Sequence, residues 1–176
     1  SRASSWSKGD VARIATDASS DTVFKGSMCF VAGNGDYRLR TRETKASTDE
    51  LELEALTLAL KYLFKVGARK AVIESDSVAA LEAVEQIVHR RGSKASRPGR
   101  TWRGVSSGAR SRFQQAWGDI QGQCEVDIRR VLGHAGDPLN RAADQIAYMG
   151  LRAIAHPMKQ SRETLREGIQ KALLAL

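Results

Sequence analysis

Acids stand in this chain where the surrounding residues are apolar. Thr48 to Val66 has helical spacing, and at about 100° per residue Glu52 falls between Ala59 and Leu63 on the apolar stripe that Leu51 opens. An ionised carboxylate on a buried stripe is costly unless it is paired or holds a cation. Glu50 and Glu54 fall instead beside Thr57, Lys61 and Lys65 on the polar side, and read as solvated helix acids, Glu50 also completing a Ser47-x-x-Glu50 capping box. Asp76 closes the apolar run Ala71-Val72-Ile73 at the carboxyl end of a strand, where sites collect in α/β sheets, although capping the next helix would also use it. Asp17 ends Ile14-Ala15-Thr16-Asp17, and Asp144 lies on a late helix between Leu151 and Ala155, away from the polar edge of Arg141, Gln145 and Arg152.

Two strands and two helices could bring these four acids to one end of a sheet, where they would repel one another without a counter-ion. An all-oxygen ligand set suits Mg²⁺ or Mn²⁺. Two such ions about 3.5 to 4 Å apart can activate a water on one side of a phosphodiester and stabilise the leaving oxygen on the other. His134, in Gly133-His134-Ala135-Gly136, sits on a glycine-flanked loop ten residues before Asp144, where it could move a proton beside the ions.

Positioning these residues calls for a particular order of elements. Val11 to Asp17, Thr22 to Ala32 and Tyr37 to Thr41 are rich in β-branched and aromatic residues, and the Ser19-Ser20-Asp21 and Gly33-Asn34-Gly35 turns separate them, predicting an antiparallel meander. The helix from Thr48 ends at Gly67, a strand follows over Ala71 to Glu74, and a helix runs from Ser77 to His89. Strand, helix, strand builds a parallel pair. A helix around Arg110 to Ile120, a strand over Val126 to Leu132 and a helix capped by Asp137 with Pro138 at its first position complete the domain. Residues 161–176 form an amphipathic helix with Leu165, Ile169, Leu173 and Leu176 on one side, able to pack on the domain or to dock a protein partner or fused domain. The organisation expected is an N-terminal extension over 1–9, a domain over 10–155 and a helical extension over 156–176.

Charge supplies the partner. The chain has 176 residues with 28 Lys+Arg against 20 Asp+Glu, a net charge of +8. Residues 90–112 hold Arg90, Arg91, Lys94, Arg97, Arg100, Arg103, Arg110 and Arg112 and no acid, so the whole surplus lies there and the rest of the chain balances. Gly, Ser and Pro98 between those cations predict a loop or protrusion that touches a polyanion. Two distant cysteines, Cys29 and Cys124, form neither a zinc motif nor a disulfide framework and read as buried reduced thiols. No run of apolar residues is long enough to span a membrane, and a cytoplasmic location is expected.

These pieces resemble ribonuclease H type 1. The matching segments are Ala15-Thr16-Asp17-Ala18-Ser19, Glu52-Leu53-Glu54-Ala55-Leu56, Glu74-Ser75-Asp76-Ser77 and the run from Gly133-His134-Ala135-Gly136 through Asn140 to Asp144, over about residues 10–155. The resemblance implies an α/β fold: a five-stranded mixed sheet, its first three strands antiparallel and its fourth and fifth parallel, flanked by helices. It implies Mg²⁺-dependent endonucleolytic hydrolysis of the RNA strand of an RNA/DNA hybrid, giving 5′-phosphate and 3′-hydroxyl ends. Asp17, Glu52, Asp76 and Asp144 would be ligands of two ions, His134 would assist proton transfer or product release, and Asn140 matches the asparagine that follows that histidine. Arg90, Arg91, Lys94, Arg97, Arg100 and Arg103 stand where some members carry a basic protrusion that grips the DNA strand, with Trp102, Phe113 and Trp117 as stacking or anchoring surface. The sequence departs from the pattern at Thr48-Asp49, where a polar Asn pair is usual, at Val78, where Gln is common, and at Ala18, where Gly is usual. Altered contacts to the RNA 2′-hydroxyl leave two alternatives: a DNA nuclease of the integrase or resolvase kind, and a module that binds hybrids or duplex RNA without cutting.

Overall fold

The structure is a computed structural model that describes residues 6, 9–21, 24–89, 104–132, 136–157 and 162–176. Its strands are β1 (Ala12–Ser20), β2 (Gly26–Ala32), β3 (Tyr37–Arg42), β4 (Lys70–Ser75) and β5 (Glu125–Arg130). Its helices are α1 (Thr48–Val66), α2 (Val78–His89), α3 (Ser107–Ile120), α4 (Pro138–Ala155) and α5 (Arg162–Leu173). The strands form one sheet in the order β3-β2-β1-β4-β5. β1, β2 and β3 pair antiparallel, and β1, β4 and β5 pair parallel. This is the mixed α/β sheet that the residue pattern predicts.

Burial follows position in the sheet. β2, between two neighbours and under helices on both faces, is buried along its whole length, whereas β3 and β5 at the edges alternate. One core lies between the sheet and α1, with Ile14, Phe30, Leu56, Leu60 and Ile73 at its centre. A second lies on the other face, where Ala15, Cys29 and Val31 meet Ala142, Ala143, Ile146 and Ala147 of α4, and Ile169 and Ala172 of α5. The C-terminal helix thus packs on α4; Leu165 and Leu173 reach this core, whereas Leu176 stays exposed. β2 begins at Gly26 rather than at Thr22, and β1 runs on to Ser20 because its antiparallel ladder with β2 continues past Asp17.

α1 begins and ends where its caps require. Ser47 Oγ accepts from the Glu50 amide at 3.1 Å, and Gly67 closes the helix in the left-handed region at φ 69°, open to glycine without strain. The polar side of α1 does not face solvent as expected. α3 packs across it, so Glu50 is 4% exposed and Thr57 is buried, while Lys61 and Lys65 remain outside. Only half of the capping box forms: the Glu50 carboxylate accepts from the Ser106 amide at 2.8 Å and from Arg42 Nη1 at 3.0 Å instead of turning back to Ser47.

α4 lies close on the sheet. Ser27 Oγ of β2 donates to the carbonyl of Ala147, and a Cβ added at Gly150 would stand 2.6 Å from Leu39 Cδ1 and 3.1 Å from Ser27 Cβ. A side chain there requires Leu39 to turn its methyls aside and Ser27 to give by a few tenths of an ångström. Cys29 and Cys124 are both buried free thiols. Among the described residues no helix is long and apolar enough to cross a membrane.

Candidate active site

β1 and β4 pair in parallel as far as Ala15 and Glu74, and beyond that point the two chains part. Asp17 and Asp76 each lie two residues past the last pair, at the carboxyl edge of the parallel strands, where an open sheet forms a crevice. Ser77 settles the two uses open to Asp76. Its hydroxyl accepts from the Ala80 amide at 3.1 Å, so Ser77 caps α2 and the Asp76 carboxylate is left exposed at the crevice.

Glu52 enters from α1 on the stripe that faces the sheet. Ligand oxygens of Asp17, Glu52 and Asp76 all lie within 4.8 Å of one another. Glu52 is 5% exposed, and its Oε2 is buried with no hydrogen-bond partner among the described residues. Asp144 stands slightly apart. It is half-buried on α4 and lines a cleft of about 160 Å³ with Asp17, Asp76, Thr16 and Asn140, but falls outside the tight group of three. Of the expected acids, three therefore share one point and the fourth faces the same cleft.

The electrostatics follow from burial and repulsion. Burial, reinforced by the charges of Asp76 and Asp144, pushes the Asp17 carboxyl up to about 7, against the Ala18 amide that donates to its Oδ1 at 2.8 Å. Glu52 goes further, to about 10, through burial first and then the charges of Asp17 and Asp76. At neutral pH a proton stays within this pair. A buried carboxylate oxygen without a partner, among oxygens crowded tightly enough to hold a proton, has the chemistry of a divalent cation site for a hard ion.

The neighbouring acids behave otherwise. Glu74, two residues before Asp76, is nearly buried, yet both of its oxygens are engaged: Arg13 Nε donates at 2.7 Å, Arg13 Nη2 at 3.2 Å and Asn140 Nδ2 at 2.7 Å. Burial raises its pKa, but the hydrogen bonds from Arg13 and Asn140 outweigh burial and hold it below the ordinary carboxylate value. Arg13 Nη2 also pairs with Asp137, whose Oδ1 caps α4 by accepting from the Leu139 amide at 2.9 Å. The sequence carried no signal for the Arg13–Glu74 pair, because it joins two strands that lie far apart along the chain.

His134, Arg90, Arg91, Lys94, Arg97, Arg100, Trp102 and Arg103 lie outside the described residues. The rest of the basic stretch is used for packing. Arg112 Nε donates to Glu54 Oε1 at 2.9 Å and fastens α3 to α1. Phe113 is fully buried in the core against α1 and offers no surface for a base, correcting its expected stacking role; α3 turns it inward. Trp117 stacks on Phe113 with ring centroids 6.2 Å apart and lines a groove with Val84, Val88, Val126 and Ile128. At the departures from the pattern, Thr48 Oγ1 meets Ser20 Oγ at 2.6 Å, and Val78 is exposed at the start of α2.

Comparison with curated proteins finds no match. A protein-family model described as RNase H matches residues 10–152, most of the chain and all of the cleft described above.

Proposed function

The chain belongs to the ribonuclease H family, and from that premise we propose that it hydrolyses the RNA strand of RNA/DNA hybrids, leaving 5′-phosphate and 3′-hydroxyl ends. The observation that carries this reading is the meeting of Asp17, Glu52 and Asp76 within 4.8 Å, around a Glu52 oxygen with no hydrogen-bond partner among the described residues. Mg²⁺ or Mn²⁺ is the fitting cofactor; two ions held by Asp17, Glu52, Asp76 and Asp144 would activate the attacking water and stabilise the leaving oxygen. Cations held by Glu52 and Asp17 would displace their shared proton to solvent, so the site would load more readily as pH rises. Asp76, free of any capping duty, is the most accessible of these carboxylates to incoming substrate and solvent. His134 is assigned the movement of a proton beside the scissile bond, on the strength of its place in the glycine-flanked loop before α4.

The hybrid is held by phosphate contacts from the cations between Arg90 and Arg103, which fix register without reading sequence. Replacing those cations by Ser weakens hybrid affinity and flattens its salt dependence by about one unit of slope per lost contact. An unchanged slope would mean that the stretch does not touch phosphate.

The direct test is cleavage of an end-labelled hybrid in Mg²⁺ by the parent and by Asp76→Asn. Equal rates would remove the assigned site. One observation favours a second reading: neither Val78 nor the Thr48–Ser20 hydroxyl pair supplies an amide to read a 2′-hydroxyl. Offering hybrid, duplex DNA, junction DNA and duplex RNA side by side separates a ribonuclease H from a DNA nuclease of related fold. A module that only binds is disfavoured, because clustered acids that cost stability have no use without a cation.

A further inference from the structure

Arg13, Glu74, Asn140 and Asp137 form a continuous polar chain from the sheet to the first turn of α4. Glu74 stands on β4 and Arg13 on β1, two residues before Ala15, the direct register partner of Glu74. Arg13 reaches both Glu74 oxygens and Asp137, and Asn140 closes on Glu74 Oε2. A carboxylate only accepts hydrogen bonds, so the Asn140 amide must turn its NH₂ to Glu74 and its carbonyl the other way. Asn140 and Asp144 are four residues apart on α4, one turn along the same side, and both line the acid cleft.

We propose that Arg13 and Glu74 are positioning residues, which fix the first turn of α4 against the parallel strands and thereby set Asp144 at the edge of the Asp17–Glu52–Asp76 cluster. This rests on the reading of that cluster as the cation site. The apolar contacts of Ala142, Ala143, Ile146 and Ala147 keep α4 on the sheet by themselves, but such packing is not directional. The bidentate guanidinium and the amide are directional, and they grip the helix at the end that carries the ligand. Arg13 has a second effect. It neutralises a carboxylate two residues from Asp76 that would otherwise add to the repulsion within the cluster.

The test compares the parent with Glu74→Ala, Glu74→Gln and Arg13→Gln, reading hybrid kcat and KM, Mn²⁺ affinity by direct titration without nucleic acid, and amide hydrogen exchange along α4. Glu74→Ala lowers kcat and Mn²⁺ affinity by about 10- to 100-fold, the range for residues that orient metal ligands. KM for the hybrid stays within about twofold, and faster exchange is confined to the N-terminal half of α4, past its first turn. Glu74→Gln, whose single carbonyl can still accept from Asn140 and Arg13 Nη2 while its NH₂ faces Arg13 Nε, recovers part of the loss. Arg13→Gln, at a half-exposed position, moves kcat and Mn²⁺ affinity per folded molecule in the same direction by a smaller factor. The proposal is overturned if the folded variants keep parental Mn²⁺ affinity and α4 exchange, or if KM alone rises. Failure of the underlying reading looks different: the parent then cuts no hybrid, or Asp76→Asn cuts as fast as the parent, while the titration and exchange measurements still report on the clamp.

Discussion

Glu50 and Glu52 stand two residues apart on α1, and both are buried. Burial works against Glu50, but hydrogen bonds from the Ser106 hydroxyl and amide and then the charge of Arg42 hold its carboxyl below the ordinary value. Glu52 meets other carboxylates, and one of its oxygens meets nothing among the described residues. Glu74 on β4 and Asp76 just past its end repeat the contrast, one clamped by Arg13 and Asn140, the other exposed at the crevice. The burial of an acid does not mark it as functional. What distinguishes the two classes is whether the fold itself neutralises the charge or leaves that task to something from outside.

The largest separation between the classes is in activity. Glu52→Gln lowers hybrid cleavage by about three orders of magnitude, the scale for removing one group that stabilises charge at a reacting centre. Glu50→Ala leaves the cleavage rate per folded molecule within about twofold. Measured kcat for the two variants, with the folded fraction taken from circular dichroism, would break the comparison if they fell together.

The response to pH and cations comes next. Asp17 and Glu52 have folded values raised above their unfolded ones, so their favourable contribution is fully present below the ordinary carboxylate range, about 4. It fades as pH rises through about 7 for Asp17 and about 10 for Glu52. Glu50 and Glu74 have lowered values, so they stabilise above the ordinary range and lose that effect as pH falls through their folded values. The cation-free protein should therefore lose stability from about pH 4 up to about pH 10 on account of the cluster, with the Asp17 share gone by about pH 7. Mg²⁺ or Mn²⁺ at 100 times its Kd should restore about 2.7 kcal/mol. Denaturant melts across pH, with and without Mg²⁺, would show this; a Glu52→Gln protein that kept the same slope and the same Mg²⁺ effect would remove the assignment.

The stability effects of single substitutions are smaller. Glu50→Ala strands Arg42 and the Ser106 amide and costs about 2 to 3 kcal/mol, discounted for the partial exposure of Arg42. Glu52→Gln moves the other way in cation-free buffer. Ser106→Ala costs about 1 to 2 kcal/mol, because the hydroxyl that caps α3 at Ala109 and supports Glu50 is lost while the backbone amide still serves Glu50. Urea midpoints would rank the three, and a drop for Glu52→Gln as large as that for Glu50→Ala would erase the distinction.

Much of this was legible in the residues, and the remainder fails for identifiable reasons. Ser47 and Gly67 mark both ends of α1 because caps are local chemistry, and the angular position of Glu52 places it inward before any partner is known. The burial of Glu50 is not legible in the sequence because it depends on α3, some sixty residues away, which covers a face that helical periodicity alone assigns to solvent. The Arg13–Glu74 clamp was invisible for a similar reason: it arises from the parallel register of β1 with β4, and no local pattern encodes which diagonal neighbours two strands will offer. Asp76 was ambiguous until Ser77 took the cap, a choice between adjacent residues that only backbone geometry makes.

The missing side chain at Gly150 has a mechanical consequence. α4 rests on Leu39 and Ser27 at a clearance smaller than one methyl group. Asp144 lies six residues along the same rod, about 9 Å away. A methyl at position 150 would act as a shim under one end of a lever, and displacements on the order of 1 Å can cost a site about 100-fold. The position of Asp144 over the sheet is thus tied to a contact six residues away that the acid itself does not make.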